Sequence, residues 1–211
     1  MMVVRILLFL MTLTISNLLS AQSTYGLTAG VGYVNNVSDY DARFSPINSF
    51  EGNYEYRISY QLGGFFTIPL DDDFRIRTEL LLASKGGKIK LDNTINLKLI
   101  YLNGPILAQY LITEKISIEL GPELGYLISA KVKSKGSEAG DVSHIYENKI
   151  DFGIRGGTRF LVSEQISINL SYIHGLSKVT EFELYDNSGS PGGKSSSYNR
   201  AFQVGISYTL N

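Results

Sequence analysis

The chain has 211 residues, a formal net charge of -1 and only 18% charged residues, so it is long enough for one substantial domain and carries no polybasic surface suited to nucleic acid. Cysteine is absent, which excludes disulfides, thiolate metal sites, thiol catalysis and a lipid-anchored cysteine. Glycine (21) and tyrosine (14) are abundant and proline (5) is sparse, a balance that favours strands and turns over helices.

The first element is a leader. "MMVVRILLFLMTLTISNLLSAQS" places one cation, Arg5, before an apolar run and then small residues before Gln22. That order reads as a secretory signal peptide over residues 1–21, cleaved after Ala21, rather than as an N-terminal anchor helix. Residues 22–211 then form a single exported domain.

From there apolar groups alternate with polar or small ones, the period of a strand with two different faces. Strand one, about Tyr25 to Val34, groups Tyr25, Leu27, Ala29, Val31 and Tyr33. Strand two, about Tyr54 to Thr67, groups Tyr56, Ile58, Tyr60, Leu62 and Phe66; strand three, about Phe74 to Lys85, groups Phe74, Ile76, Leu80 and Leu82. Strand four, about Leu97 to Leu111, is apolar on both faces around "LIYLNGPILAQY", and Asn103-Gly104-Pro105 predicts a bulge or irregular edge. Strand five, "SIELGPELGYLISAKVK" (Ser117 to Lys133), sets Ile118, Leu120, Leu124, Tyr126, Ile128, Ala130 and Val132 against Glu119, Gly121, Glu123, Gly125, Ser129 and Lys131. Strands six, seven and eight, about Lys149 to Phe160, Ile166 to Leu176 and Ala201 to Leu210, alternate in the same way.

Eight strands joined by short turns at one end ("PLDDD", "ITEK", "VSEQ") and long polar loops at the other (about 35–53, 86–95, 134–148 and 177–199) describe an antiparallel up-and-down barrel. So narrow a barrel cannot hold the Tyr, Phe, Leu and Ile of the apolar face, whereas the other face is rich in glycine. The greasy face therefore points outward, giving an all-β, eight-stranded transmembrane barrel of the outer-membrane type, short turns to the periplasm. Tyr25, Phe66, Phe74, Tyr110, Phe160 and Tyr208 all fall on the outward parity at the short-turn end, where an aromatic girdle belongs.

The inward parity carries Arg57, Arg75, Arg77, Lys85, Lys131, Arg155 and Arg159 against Glu55, Glu79, Glu119, Glu123 and Asp151. Opposite charges confined in a lumen must pair, since an unpaired buried charge is costly. The expectation is a salt-bridge plug; a polar conduit or small-ligand site is the alternative. Other motifs carry less. His174 with Asp186 and the loop serines does not make a catalytic constellation, and "GSPGGKSS" lacks the spacing and flanking elements of a phosphate loop. "DDD" at Asp71 to Asp73 lacks the alternation of calcium ligands and reads as a solvated turn. No cofactor or metal site is implied.

The ordered motifs "RTELLLASKGGKI", "YLNGPILAQY", "ELGPELGYLISAK", "DFGIRGGTRF" and "ISINLSYIHGLS" resemble the PorT-like outer-membrane β-barrel family over nearly the whole mature chain. The resemblance implies a Gram-negative outer-membrane barrel, in some members connected with protein secretion. It also implies a fourth strand like "YLEIPLLLKY", in which Asn103 and Gln109 stand here in place of an acid and a lysine.

These readings point to a non-enzymatic barrel embedded in outer-membrane lipid, with a structural or partner-binding role through its loops. Glu181, Glu183, Asp186 and Lys194 are the candidate contacts for secretion or envelope proteins. The alternatives are a narrow channel or secretion accessory, and a soluble periplasmic lipocalin-like barrel.

Overall fold

A computed structural model of the chain describes residues 23–42, 54–90, 94–134, 138–146, 148–185 and 191–210. The expected signal peptide and Asp186 lie outside the described residues.

The strands are β1 (Thr24–Ala42), β2 (Tyr54–Glu55), β3 (Arg57–Pro69), β4 (Phe74–Lys90), β5 (Thr94–Thr113), β6 (Ile116–Ser134), β7 (Gly140–Asp141), β8 (Ile150–Leu161), β9 (Ile166–Gly175), β10 (Thr180–Tyr185) and β11 (Pro191–Thr209). Antiparallel pairing runs β1-β3-β4-β5-β6-β8-β9-β11 and returns to β1, so eight strands close a ring. The closing seam is continuous from Gly26↔Thr209 to Ala42↔Gly193. β2, β7 and β10 are short extensions at the long-loop end, pairing β4, β6 and β11.

Each short turn is held by a side-chain oxygen. Asp71 Oδ1 accepts from the N–H of Asp73 and Phe74, Thr113 Oγ1 from those of Lys115 and Ile116, and Ser163 Oγ from that of Ile166. These are the local caps by which Asp, Thr and Ser favour tight turns.

The faces are oriented as the alternation predicts. Leu120 (61%), Tyr126 (53%) and Ile154 (43%) are exposed on the outer wall, whereas Glu119 (6%) and Arg155 (2%) are buried inside. The six expected girdle aromatics also lie on the outer wall near the short turns, Tyr25 directly opposite Phe66 and Phe74 opposite Tyr110. The Phe74 and Tyr110 ring centroids are 4.8 Å apart.

Three expectations are corrected. At Asn103-Gly104-Pro105 the edge towards β4 is irregular, the ladder skipping Gly104 and Pro105, but the register does not shift; the bulge sits instead where Ile100↔Ser129 gives way to Tyr101↔Leu127, leaving Ile128 as the extra residue on β6. One extra residue reverses the parity of everything after it. Ala130 is therefore buried inside and Lys131 is exposed, the opposite of their predicted faces. Second, much of the expected long loops is strand: β4 and β5 leave only residues 91–93 between them, and "PGGKSSSYN" opens β11. Third, the lumen is not uniformly polar, since Phe65, Leu81, Leu99, Tyr101, Leu107, Leu127 and Ile173 are buried on the inward parity.

Candidate functional site

Every buried charge among the described residues comes from three strands. β4 supplies Arg77, Glu79 and Lys85, β6 supplies Glu119 and Glu123, and β8 supplies Asp151, Arg155 and Arg159. They comprise four cations and four anions, so the buried set is neutral. The opposite wall answers with neutral hydroxyls and amides, among them Thr28, Gln61, Asn169, Ser171, Asn199, Gln203 and Ser207.

The charges form one alternating chain. Arg77 Nε donates to Glu79 Oε1 at 2.7 Å, and Arg155 Nη1 donates to Glu79 Oε2 at 3.4 Å. Arg155 Nη2 lies 2.6 Å from Glu123 Oε2 and also donates to Gln61 Oε1. Lys85 Nζ then bridges Glu123 Oε1 at 3.0 Å and Asp151 Oδ2 at 2.8 Å. Towards the periplasm, Arg159 grips both oxygens of Glu119 at 2.6 and 3.2 Å, the bidentate fork that suits arginine, and reaches Glu79 Oε1 at 3.6 Å.

Neutral groups add further hydrogen bonds, although Arg155 Nε and Asn103 Oδ1 are buried without one. Asn103 Nδ2 donates to Glu123, and Asn199 Nδ2 and Ser177 Oγ donate to Asp151. Ser207 Oγ accepts from both Arg77 and Arg159. The Arg77 guanidinium also lies 3.7 Å over the Phe65 ring. The two positions at which the family resemblance implies an acid and a lysine both face this lumen: Asn103 serves Glu123, and Gln109 Nε2 donates to Ser117 Oγ at 2.7 Å.

Little room is left between these groups. A Cβ on Gly125 would come within 2.6 Å of Asn103 Oδ1, and one on Gly205 within 2.5 Å of Asn169 Oδ1, so a larger residue at either position requires the facing amide to move. At the extracellular end Leu99, Tyr101, Leu127, Ala130 and Tyr146 pack together over the charges. The Val142 N–H donates to the Ala130 carbonyl and Ser143 Oγ accepts from the Ala130 N–H, fixing the segment that carries Tyr146 to β6. At the periplasmic end a cavity of about 80 Å³ is lined by Arg75, Arg77, Gln109, Ser117 and Arg159 among others.

Of the twelve charged residues predicted to face inward, the structure unites Arg77, Glu79, Lys85, Glu119, Glu123, Asp151, Arg155 and Arg159 in the network, whereas Glu55 is exposed. Arg75 lies half-buried at its periplasmic mouth. Arg57 lies half-buried at the extracellular end, donating to Ser84 Oγ and the Lys85 carbonyl. Lys131 is outside the lumen altogether, turned out by the bulge. The amides Gln61 and Asn199 were not singled out by charge, although Gln61 sits on the inward parity of its strand.

On the β10–β11 hairpin, Glu181 is held by the ammonium groups of Lys178 and Lys194 and by Ser196 Oγ. Those partners pull its carboxyl down from the ordinary 4.5 to about 2, the Lys178 hydrogen bond contributing most. Glu181 and Lys194 are thus engaged with each other, and Glu183 is exposed. His174 sits on the outer wall beside the Tyr172 ring, not in a polar cleft. Among the described residues no group of three His, Asp or Glu is placed to hold a metal.

The family model for the outer membrane protein beta-barrel domain matches residues 20–181. The chain belongs to this family. It is an outer-membrane barrel, in contact with lipid through its apolar wall. Solved structures to which this barrel is similar include Ail, the attachment invasion locus protein of Yersinia pestis (17% identity, covering 88% of this chain and 99% of that one, TM-score 0.43). Neisserial surface protein A is also similar (12% identity, 85% and 96% coverage, TM-score 0.46), as is the outer membrane protease OmpT of Escherichia coli (12% identity, 89% and 96% coverage, TM-score 0.36). No curated protein sequence matches the chain.

Glu123→Ala removes a carboxylate shared by Lys85 and Arg155 and is expected to cost about 3–5 kcal/mol of barrel stability, with Glu123→Gln milder. Urea unfolding in lipid vesicles, followed by far-UV circular dichroism, measures it. In the hairpin, the folded-state value of Glu181 is depressed, so its clamp is complete above pH 4.5 and is lost as pH falls through about 2. Carboxyl NMR titration is expected to find that midpoint, and Lys178→Ala with Lys194→Ala should return it towards the ordinary value.

Proposed function

We propose that this outer-membrane barrel is a non-enzymatic, non-conducting scaffold that presents its extracellular hairpins to envelope or secretion proteins. The observation that carries it is the neutral chain of eight buried charges from β4, β6 and β8, packed between the Tyr146 cluster and the short-turn end. Passage of a solute would require several buried ion pairs to part together, each costly to break in a confined interior. The Lys178–Glu181–Lys194 clamp supports the scaffold reading, because a hairpin held rigid by its own charges loses less freedom when a partner docks.

We also place the chain with the PorT-like barrels, on the ordered motifs along β4, β5, β6, β8 and β9, and propose a cleaved leader over residues 1–21. The six outer-wall aromatics at the short-turn end act as its periplasmic girdle. A lipocalin-like role is disfavoured because a lipid-binding lumen needs an apolar interior, and this one holds eight charges.

In planar bilayers the refolded barrel is expected to give no unitary current steps. Sustained steps from wild-type protein would overturn the scaffold reading in favour of a channel.

A further inference from the structure

The outer wall of β5 and β6 changes character abruptly at the extracellular end. On β5 the outward residues run Tyr110, Ala108, Ile106, Leu102 and Ile100, and then Lys98. On β6 they run Ile118, Leu120, Leu124, Tyr126 and Ile128, and then, past the bulge, Lys131 and Lys133. From Tyr110 to Lys98 the strand climbs roughly 28 Å along the barrel axis, at about 3.3 Å per residue and a tilt near 45°. The apolar band of such a barrel is about 25 Å tall, so these lysines stand in the headgroup layer of the outer leaflet.

Their arrangement concentrates positive charge on this part of the outer wall. Lys98 and Lys131 are direct cross-strand partners, and Asn96↔Lys133 brings the third lysine alongside. Like charges directly opposite each other on a sheet repel. The Lys98 ammonium leans away, 5.3 Å over the Tyr60 ring. Lys131 and Lys133 make no ion pair among the described residues. Asp141 on β7 is a backbone partner of Lys131 and acts on it as a counter-charge, but its carboxylate accepts the Ser143 N–H at 2.7 Å and makes no ion pair with the lysine. An inserted residue in β6 is what exports Lys131 to this wall, and a bulge that re-aims one side chain is a typical structural device at a binding site.

We propose that Lys98, Lys131 and Lys133 form a site for the phosphate headgroup of an outer-leaflet lipid, with the acyl chains lying along the apolar wall below. A phosphate set between Lys98 and Lys131 removes their repulsion and satisfies both ammonium groups.

The test is a native mass-spectrometry titration of the refolded barrel in neutral detergent, with diphosphoryl lipid A and with its dephosphorylated counterpart as probes. Wild-type protein is expected to retain the phosphorylated form at least about tenfold more tightly. The triple variant Lys98→Gln, Lys131→Gln, Lys133→Gln should lose that preference, and Arg75→Gln, which removes one charge at the periplasmic mouth, should keep it. Heat-modified migration on gels confirms that each variant is folded; should the triple variant not fold, Lys131→Gln alone is expected to show a partial loss. A wild-type barrel without the preference, or a folded lysine variant that retains it in full, overturns the proposal.

Discussion

A backbone N–H or C=O left unpaired in hydrocarbon costs several kcal/mol, and no water is present to relieve it. The seam between β1 and β11 removes that cost by turning a sheet into a ring. Once the ring closes with eight strands, its interior is narrow, its exterior meets lipid, and every strand must serve two unlike environments at alternate residues. The distribution of side chains follows: bulky apolar groups outside, small or paired polar groups inside.

Within that narrow interior, charge placement is a collective property. β5, between β4 and β6, contributes Asn103, Leu107 and Gln109 to the lumen, so cations and anions approach one another over a neutral strand. No single ion pair accounts for the arrangement. Glu79 is shared by Arg77, Arg155 and Arg159, and Glu123 by Lys85 and Arg155. Removing one member strands its neighbours, which is why buried networks resist piecemeal change more than they add stability.

The orientation of the strands was legible because two incompatible solvents write a period of two into each segment. The outer-wall placement of the six aromatics and eight of the twelve predicted interior charges could be read from parity alone. Parity failed at β6, where Tyr126, Leu127 and Ile128 are three apolar residues in a row, a break in alternation that marks the bulge. The lumen-facing Leu81, Leu99 and Leu107 were hidden in runs that are apolar on both faces. Strand beyond the lipid, such as the start of β11, has no apolar face to betray it; its serines and glycines read as loop although they pair with β1 and β10.

Because the chain has no cysteine, single cysteines introduced along β6 can each carry a spin label without background. Collision of those labels with oxygen, which partitions into lipid, measures the orientation directly when scanned from residue 117 to 133. The expected profile is high at 118, 120, 122, 124, 126 and 128 and low at the residues between them, with the phase reversing so that 130 is protected and 131 and 133 face outward. Protection at 120, 124 and 126 with oxygen access at 119 and 123, or an alternation that runs unbroken through 131, would contradict the account.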